Sequence, residues 1–150
     1  MDTSFKNTTV VLVLDPNKDD RRYWAKQLEK SSQHYKVLEA DDAESGLAIC
    51  QSERVDCVVM ELHLPGMSAF QVLMRLNPIV RRCLQTPVVA LSYFILPSIA
   101  EATKKLGAQS YLIKSQASPD DLARAIQNAI AKVGTTRKAG SREEHALEKT

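Results

Sequence analysis

The chain alternates short apolar runs with segments of helical period, and this alternation limits its possible folds more than any other feature. The strongest runs are rich in β-branched residues and continuously apolar, which is typical of strands buried on both faces of a parallel sheet. Two weaker runs fit the same alternation. Five strands are therefore predicted, over Val10–Leu14, Tyr35–Ala40, Val55–Met60, Pro87–Leu91 and Ser110–Ile113.

A helical segment follows each predicted strand. In the last one, apolar residues recur every three or four positions from Leu122 to Val133, which makes one apolar stripe. Ser118 is its predicted cap, and Pro119 suits the first helical position. Two more helices are predicted over 18–30 and over 96–106, the second ending at Gly107. Another begins at Asp41, which forms a capping box with Glu44, and buries Leu47 and Ala48. The remaining helix contains Phe70, Leu73, Met74 and Leu76.

Five consecutive β-α units predict an α/β fold with a five-stranded parallel sheet, doubly wound, with helices on both faces. A chain of 150 residues fits one domain. The apolar period disappears at Gly134, after which the sequence is polar and mixed in charge. We therefore expect a domain over residues 1–133 and a disordered polar tail or linker over 134–150.

Composition and charge exclude several classes of protein. Lys and Arg number 20 against 18 Asp and Glu, so no basic field predicts nucleic-acid binding. No apolar run reaches the roughly 20 residues that span a bilayer, and no signal peptide opens the sequence, so a cytoplasmic protein is expected. Cys50, Cys57 and Cys83 form no CxxC pair, which argues against a disulfide framework or a zinc site.

Polar residues stand at four predicted strand ends, and the carboxyl ends of parallel strands share one edge of the sheet. They are Asp15, Glu61, Ser92 and Lys114. Two carboxylates, a hydroxyl and an ammonium suit a divalent cation and a phosphoryl group. Each residue alone also fits a helix cap, a turn or a solvated side chain. No dinucleotide or P-loop glycine motif and no catalytic triad is visible, so no catalytic residue is assigned.

Four segments resemble the receiver domain of two-component response regulators, over about residues 8–133. They are Val10–Asp15, Met60–Phe70, Pro87–Ser92 and Gly107–Lys114. The resemblance implies a flavodoxin-like fold and a switch in which a strand-3 Asp, together with Mg²⁺, accepts a phosphoryl group from a histidine kinase. By the same resemblance Ser92 and Lys114 sense the phosphoryl group, Tyr111 is the switch aromatic, and His63 contributes its backbone carbonyl.

The sequence departs from this family at the centre of the site. Glu61 replaces the acceptor Asp, and its carboxylate reaches about 1.5 Å further. Pro16 replaces the second acidic residue after strand 1, and Tyr93 follows Ser92 where the family has a small residue. We expect Mg²⁺ to bind weakly or not at all. The prediction is an atypical receiver that is not switched by Asp phosphorylation and acts through protein–protein contacts, with Glu61 partly imitating a phosphoaspartate.

Two other interpretations stay open. The chain could still accept a phosphoryl group at Glu61 or at a nearby hydroxyl such as Ser68, with at most weak phosphotransfer or autodephosphorylation activity. It could also be a small α/β enzyme or cofactor binder, for which the sequence offers no motif. The expected partner is a histidine kinase or another signalling protein, or a second copy bound through the helix 4/strand 5/helix 5 face. Neither nucleic acid nor a membrane is expected as a partner.

Overall fold

The computed structural model describes residues 8–77 and 86–148, with side chains described as far as Gly134. It contains the five predicted β-α units in the predicted order. Cys83 lies outside the described residues. The elements are β1 Thr9–Leu14, α1 Lys18–Ser31, β2 Tyr35–Ala40, α2 Ala43–Ser52, β3 Cys57–Met60, α3 Ala69–Leu76, β4 Val88–Ser92, α4 Pro97–Lys105, β5 Ser110–Ile113 and α5 Pro119–Glu148.

The five strands form one parallel sheet in the order β2-β1-β3-β4-β5. The first strand, β1, thus lies inside the sheet, with β2 on one side and β3, β4 and β5 in order on the other. The carboxyl ends of β1, β3, β4 and β5 lie side by side along one edge. The predicted α/β class and the doubly wound parallel sheet are confirmed.

Two apolar cores cover the two faces of the sheet. In β1, Val11 and Val13 point to one core, where α1 and α5 supply Leu28 and Ile126. The alternate residues of β1, Leu12 and Leu14, point to the other core with α2 and α3. Burial on both faces explains why the strands are continuously apolar, since successive side chains of a strand point in opposite directions.

Two helices differ from their predicted registers. Asp42, not Asp41, caps α2 by accepting a hydrogen bond from the Ser45 N–H at 2.7 Å, and Ala48 is exposed. Ser68 and Gln71 form a capping box that starts α3 at Ala69. Spacings of three and four from that start bury Ala69, Val72, Leu73 and Leu76, whereas Phe70 and Met74, two apolar residues on which the prediction of this helix rested, are exposed.

The last helix continues past the predicted end of the domain. The sequence predicts an irregular tail from residue 134, but α5 runs from Pro119 to Glu148. Lys, Arg, Ala and Glu are good helix formers, and extending an existing helix avoids the cost of nucleation. The assignment of residues 134–150 to a tail or linker outside the domain stays a prediction. Within the described ranges, no helix is long and apolar enough to cross a membrane.

Candidate functional site

The four polar residues predicted to share a rim lie in one cleft at the carboxyl edge of the sheet. Asp15, Glu61 and Lys114 directly follow β1, β3 and β5, and Ser92 ends β4. All four are buried. They line an open cleft of about 320 Å³ together with six neighbours: Pro16, Asn17, Asp20, His63, Tyr93 and Phe94.

The Lys114 ammonium lies among three carboxylates. Its Nζ is 2.6 Å from Asp15 Oδ2, 3.1 Å from Asp20 Oδ2 and 3.4 Å from Glu61 Oε2. It donates hydrogen bonds to the first two of these oxygens. Burial lowers the pKa of Lys114, but the nearby carboxylates outweigh burial, so the pKa is raised and the ammonium stays charged.

Glu61 is the least well compensated carboxylate of this cluster. Its Oε1 accepts a hydrogen bond from the Ser92 hydroxyl at 3.3 Å. Its Oε2 is buried and receives no hydrogen bond from any residue that the structure describes, although Lys114 lies at ion-pair distance. Burial, assisted by the negative charge of Asp15, raises the pKa of Glu61 despite the opposing effects of Lys114 and Ser92.

Asp20 is a residue of the cleft that the sequence patterns did not indicate. Pro16 supplies no carboxylate after β1, but Asp20 supplies one from the first turn of α1. The Asn17 N–H donates to Asp15 Oδ1, and the Asn17 side chain accepts from the Asp20 N–H, so this turn brings Asp20 back over the rim. The sequence does show two acidic residues, Asp19 and Asp20, in the first turn of α1. Acidic residues at that position also interact favourably with the helix dipole, so they do not by themselves indicate a residue of the cleft.

Aromatic side chains of the β4–α4 segment stand at the mouth of the cleft. The Tyr93 hydroxyl lies 3.4 Å from Asp20 Oδ1, and its ring centroid is 5.0 Å from Lys114 Nζ. The Phe94 ring lies 6.0 Å from the His63 ring. The half-buried Tyr111 donates a hydrogen bond to the Phe94 carbonyl at 2.8 Å, which ties β5 to this segment. The signalling roles predicted for Tyr111 and His63 stay predictions.

The donor set does not fit a Mg²⁺ ion as it is arranged. Mg²⁺ requires oxygen ligands at about 2.0–2.1 Å in octahedral geometry. The carboxylate oxygens of Asp15 are instead bonded to the Asn17 N–H and to Lys114, whose ammonium lies where a cation would compete for the same oxygens. No group of three or more His, Cys, Asp or Glu among the described residues is arranged to hold a metal ion.

Sequence comparisons relate this chain to a family of known proteins. A family model of the response regulator receiver domain matches residues 11–127. The sensory/regulatory protein RpfC of Xanthomonas campestris is 33% identical over 105 residues, which are 69% of this chain but only 14% of that protein. The nitrate/nitrite response regulator NarL of Escherichia coli is 30% identical over 95 residues, 63% of this chain and 42% of NarL. The chain thus spans less than half of the length of each of these two relatives.

Solved structures show the same fold. A response regulator receiver domain from Clostridium thermocellum superimposes with a TM-score of 0.71 and 25% identity, covering 83% of this chain and 95% of that one. The chemotaxis response regulator CheY4 of Vibrio cholerae superimposes with a TM-score of 0.70 and 24% identity, covering 81% and 98%. With the family model spanning most of the chain, the protein belongs to the response regulator receiver domain family of two-component signalling.

Proposed function

We propose that this chain is an atypical receiver domain that acts through protein–protein contacts and is not switched by phosphorylation of an aspartate. One observation carries the proposal. The carboxylate at the phosphoacceptor position, Glu61, already contacts Ser92 and Lys114, the two groups that the family resemblance assigns to the phosphoryl oxygens. When it is ionised, Glu61 thus brings a negative charge next to the two groups that would contact an arriving phosphoryl group.

Three further features support this proposal on physical grounds. Transfer needs an acceptor oxygen aligned with the donor phosphorus, because phosphoryl transfer depends on positioning and electrostatics. Glu61 offers one oxygen bound to Ser92 and another buried beside Lys114. Tyr93 stands across the mouth, and Pro16 brings no second carboxylate. The imitation of phosphoaspartate is partial, since Glu61 carries at most one charge against about −1.5 to −2 for a phosphoryl group.

The test is incubation with Mg²⁺ and acetyl phosphate, followed by intact-mass measurement. We expect no gain of a phosphoryl group by the native chain. The double variant Glu61→Asp with Pro16→Asp restores an acceptor and a second carboxylate, so it should gain measurable phosphate and serves as the positive control. Stoichiometric phosphorylation of the native chain would refute the proposal.

A phosphoryl group on Glu61 or on a nearby hydroxyl is the competing outcome of the same experiment. Ser68 is exposed, but its hydroxyl accepts a hydrogen bond from the Gln71 N–H at the start of α3. Should the native chain gain mass, the variants Ser68→Ala and Glu61→Gln identify the acceptor. If only one of these variants fails to gain mass, the residue it replaces is the acceptor, and the chain is a receiver that still takes part in phosphotransfer.

The partners proposed for this module are signalling proteins. One relative is the sensor histidine kinase AruS of Pseudomonas aeruginosa, 31% identical over 107 residues, of which this chain covers 10%. A kinase or another component of a two-component pathway therefore fits as partner. A second copy, bound through α4, β5 and α5, is the alternative, and sedimentation of the purified chain distinguishes a monomer from a dimer.

A further inference from the structure

We propose that the cleft binds a basic side chain, an arginine or a lysine, carried on an apolar segment of a partner protein. The acidic floor of the cleft and the exposed apolar residues 93–96 at its mouth together form this surface. The inference rests on the proposed function, since it names the chemistry of the partner that an interaction module of this kind would take.

Charge is the first argument. Asp15, Asp20 and Glu61 line the cleft against one ammonium, that of Lys114. With all of them ionised and His63 neutral, the lining carries an excess of two negative charges, and with Glu61 protonated one negative charge remains. Such a cleft attracts a cation and repels an acidic or phosphorylated segment.

The floor of the cleft contains a buried carboxylate oxygen that accepts no hydrogen bond from the described residues. Glu61 is only 7% exposed, and its Oε2 accepts no hydrogen bond from the described part of the chain. A buried carboxylate oxygen without a donor is costly, whereas a charge-assisted hydrogen bond to it is among the stronger polar contacts. A guanidinium has several N–H donors, so it can donate to the Asp20 carboxylate at the mouth, while its positive charge offsets the incompletely paired charge of Glu61 buried beneath.

An apolar strip lies beside the mouth of the cleft. Tyr93, Phe94, Ile95 and Leu96 are consecutive and are 57%, 39%, 63% and 60% exposed. Contiguous exposed apolar side chains mark interaction surfaces. Tyr93 also offers an aromatic face near the acidic floor, and its ring already lies 5.0 Å from one ammonium group, that of Lys114. The surface therefore suits a basic residue with apolar neighbours better than a free inorganic cation.

The experiment is a titration of the full ¹⁵N-labelled chain with two peptides, acetyl-Leu-Arg-Leu-amide and acetyl-Leu-Gln-Leu-amide. Amide chemical shifts report both affinity and location. We expect the arginine peptide to shift residues 15–20, 61–63 and 92–96 saturably and to bind at least tenfold more tightly than the glutamine peptide. Raising the NaCl concentration from 50 to 300 mM should weaken the binding of the arginine peptide and leave the binding of the glutamine peptide unchanged.

Two variants link the binding to the cleft. Glu61→Gln removes one floor charge at nearly constant shape and should weaken the arginine peptide about fivefold. Glu101→Gln removes an exposed charge on α4 outside the cleft lining and should leave binding unchanged. A further titration with guanidinium chloride tests whether the cation alone is sufficient for binding. We expect the guanidinium ion to bind far more weakly than the arginine peptide.

Equal binding of the two peptides, shifts confined to other parts of the surface, or guanidinium binding as tightly as the arginine peptide would each overturn the inference. Absence of any saturable shift would do the same. These outcomes are independent of the mass measurement, because a phosphoryl gain refutes the proposed function whatever the titration gives. A failed titration without a phosphoryl gain removes only the inference about the partner.

Discussion

Lys114 and the three carboxylates around it show how a buried charge is kept in this fold. The ammonium keeps its charge because Asp15, Asp20 and Glu61 lie within 3.4 Å of it. Asp15 and Asp20 each accept a hydrogen bond from it, but Glu61 does not. The cost of burying Glu61 is therefore only partly recovered, and Glu61 is the residue at which a neutral substitute should be tolerated best.

We predict that Glu61→Gln raises the free energy of unfolding at pH 7. The pKa of Glu61 is raised, first by burial and then by Asp15, so the folded protein binds this proton more readily than the unfolded chain. Ionised Glu61 therefore lowers stability at neutral pH. As the pH falls through the raised pKa toward the ordinary value of 4.5, native Glu61 takes up its proton and the advantage of the variant disappears.

Urea unfolding at several pH values between 4 and 8 measures this difference. Glu101→Gln, an exposed position on α4, is the matched control and should change the free energy of unfolding by less than about 0.5 kcal/mol. A Glu61→Gln variant that is less stable than the native chain at pH 7 would mean that the Lys114 ion pair outweighs burial.

The sequence predicts four residues of the cleft because each is located by its own apolar run. Asp15, Glu61, Ser92 and Lys114 each stand at the end of an apolar run, and parallel strands bring their carboxyl ends to one edge. The contacts of Asp20 do not follow from any run. They depend on the angle at which α1 leaves β1 and on the reach of Tyr93 across the cleft, which are set by tertiary packing.

Among the elements, the connection between α4 and β5 depends on two residues. Gly107 has φ +119°, and a Cβ there would come within 2.6 Å of Asn77 Nδ2. Asn77 caps α3 and joins three segments, because its Nδ2 donates to the Gly107 carbonyl at 3.3 Å and its Oδ1 accepts from the Thr86 N–H at 2.9 Å. Crowding at Gly107 therefore disturbs the end of α3 and the approach to β4 together.

We predict that Gly107→Ala lowers the free energy of unfolding by about 2–3 kcal/mol, the sum of positive-φ strain and displacement of Asn77. Gly134→Ala is the matched control, since Gly134 lies inside α5 and a Cβ there meets nothing within 4 Å. The control should be stabilised by about 0.5–1 kcal/mol, because alanine is the better helix former. Chemical unfolding measures both variants, and equal effects would contradict the role of Gly107.

Element boundaries show where sequence patterns reach their limit. The run Val55–Met60 predicts a strand, but β3 begins only at Cys57. The Asp56 N–H still donates to the Val10 carbonyl at 2.8 Å, but the Asp56 carboxylate accepts from the Val10 N–H at 2.8 Å, so a side chain replaces one of the two backbone partners there. The pattern of apolar residues does not predict that a side chain replaces a backbone partner. Nor does it predict that the cap of α2 lies one residue later, at Asp42.

For the whole molecule, the alternation of strands and helices determines the class, because parallel strands need crossover helices that cover both faces of the sheet. The apolar patterns do not determine the strand order β2-β1-β3-β4-β5. That order is selected by packing between distant segments, such as α1 and α5, whose Leu28 and Ile126 belong to the same core. Polar residues after position 134 predict an irregular tail, but α5 continues to Glu148. Residues with high helix propensity can extend a helix even where no apolar residues recur at the helical period.

We predict that removal of residues 135–150 leaves the melting temperature within about 3 °C of that of the full chain. Val133 is the last buried side chain among the described residues, so a chain ending at Gly134 keeps both described cores. A chain ending at Asn128 is the control. It loses the buried Ala129 and Val133, worth a few kcal/mol, and should melt roughly 10 °C lower. Calorimetry measures all three, and a fall of more than about 5 °C for the chain ending at Gly134 would place part of the last segment within the domain.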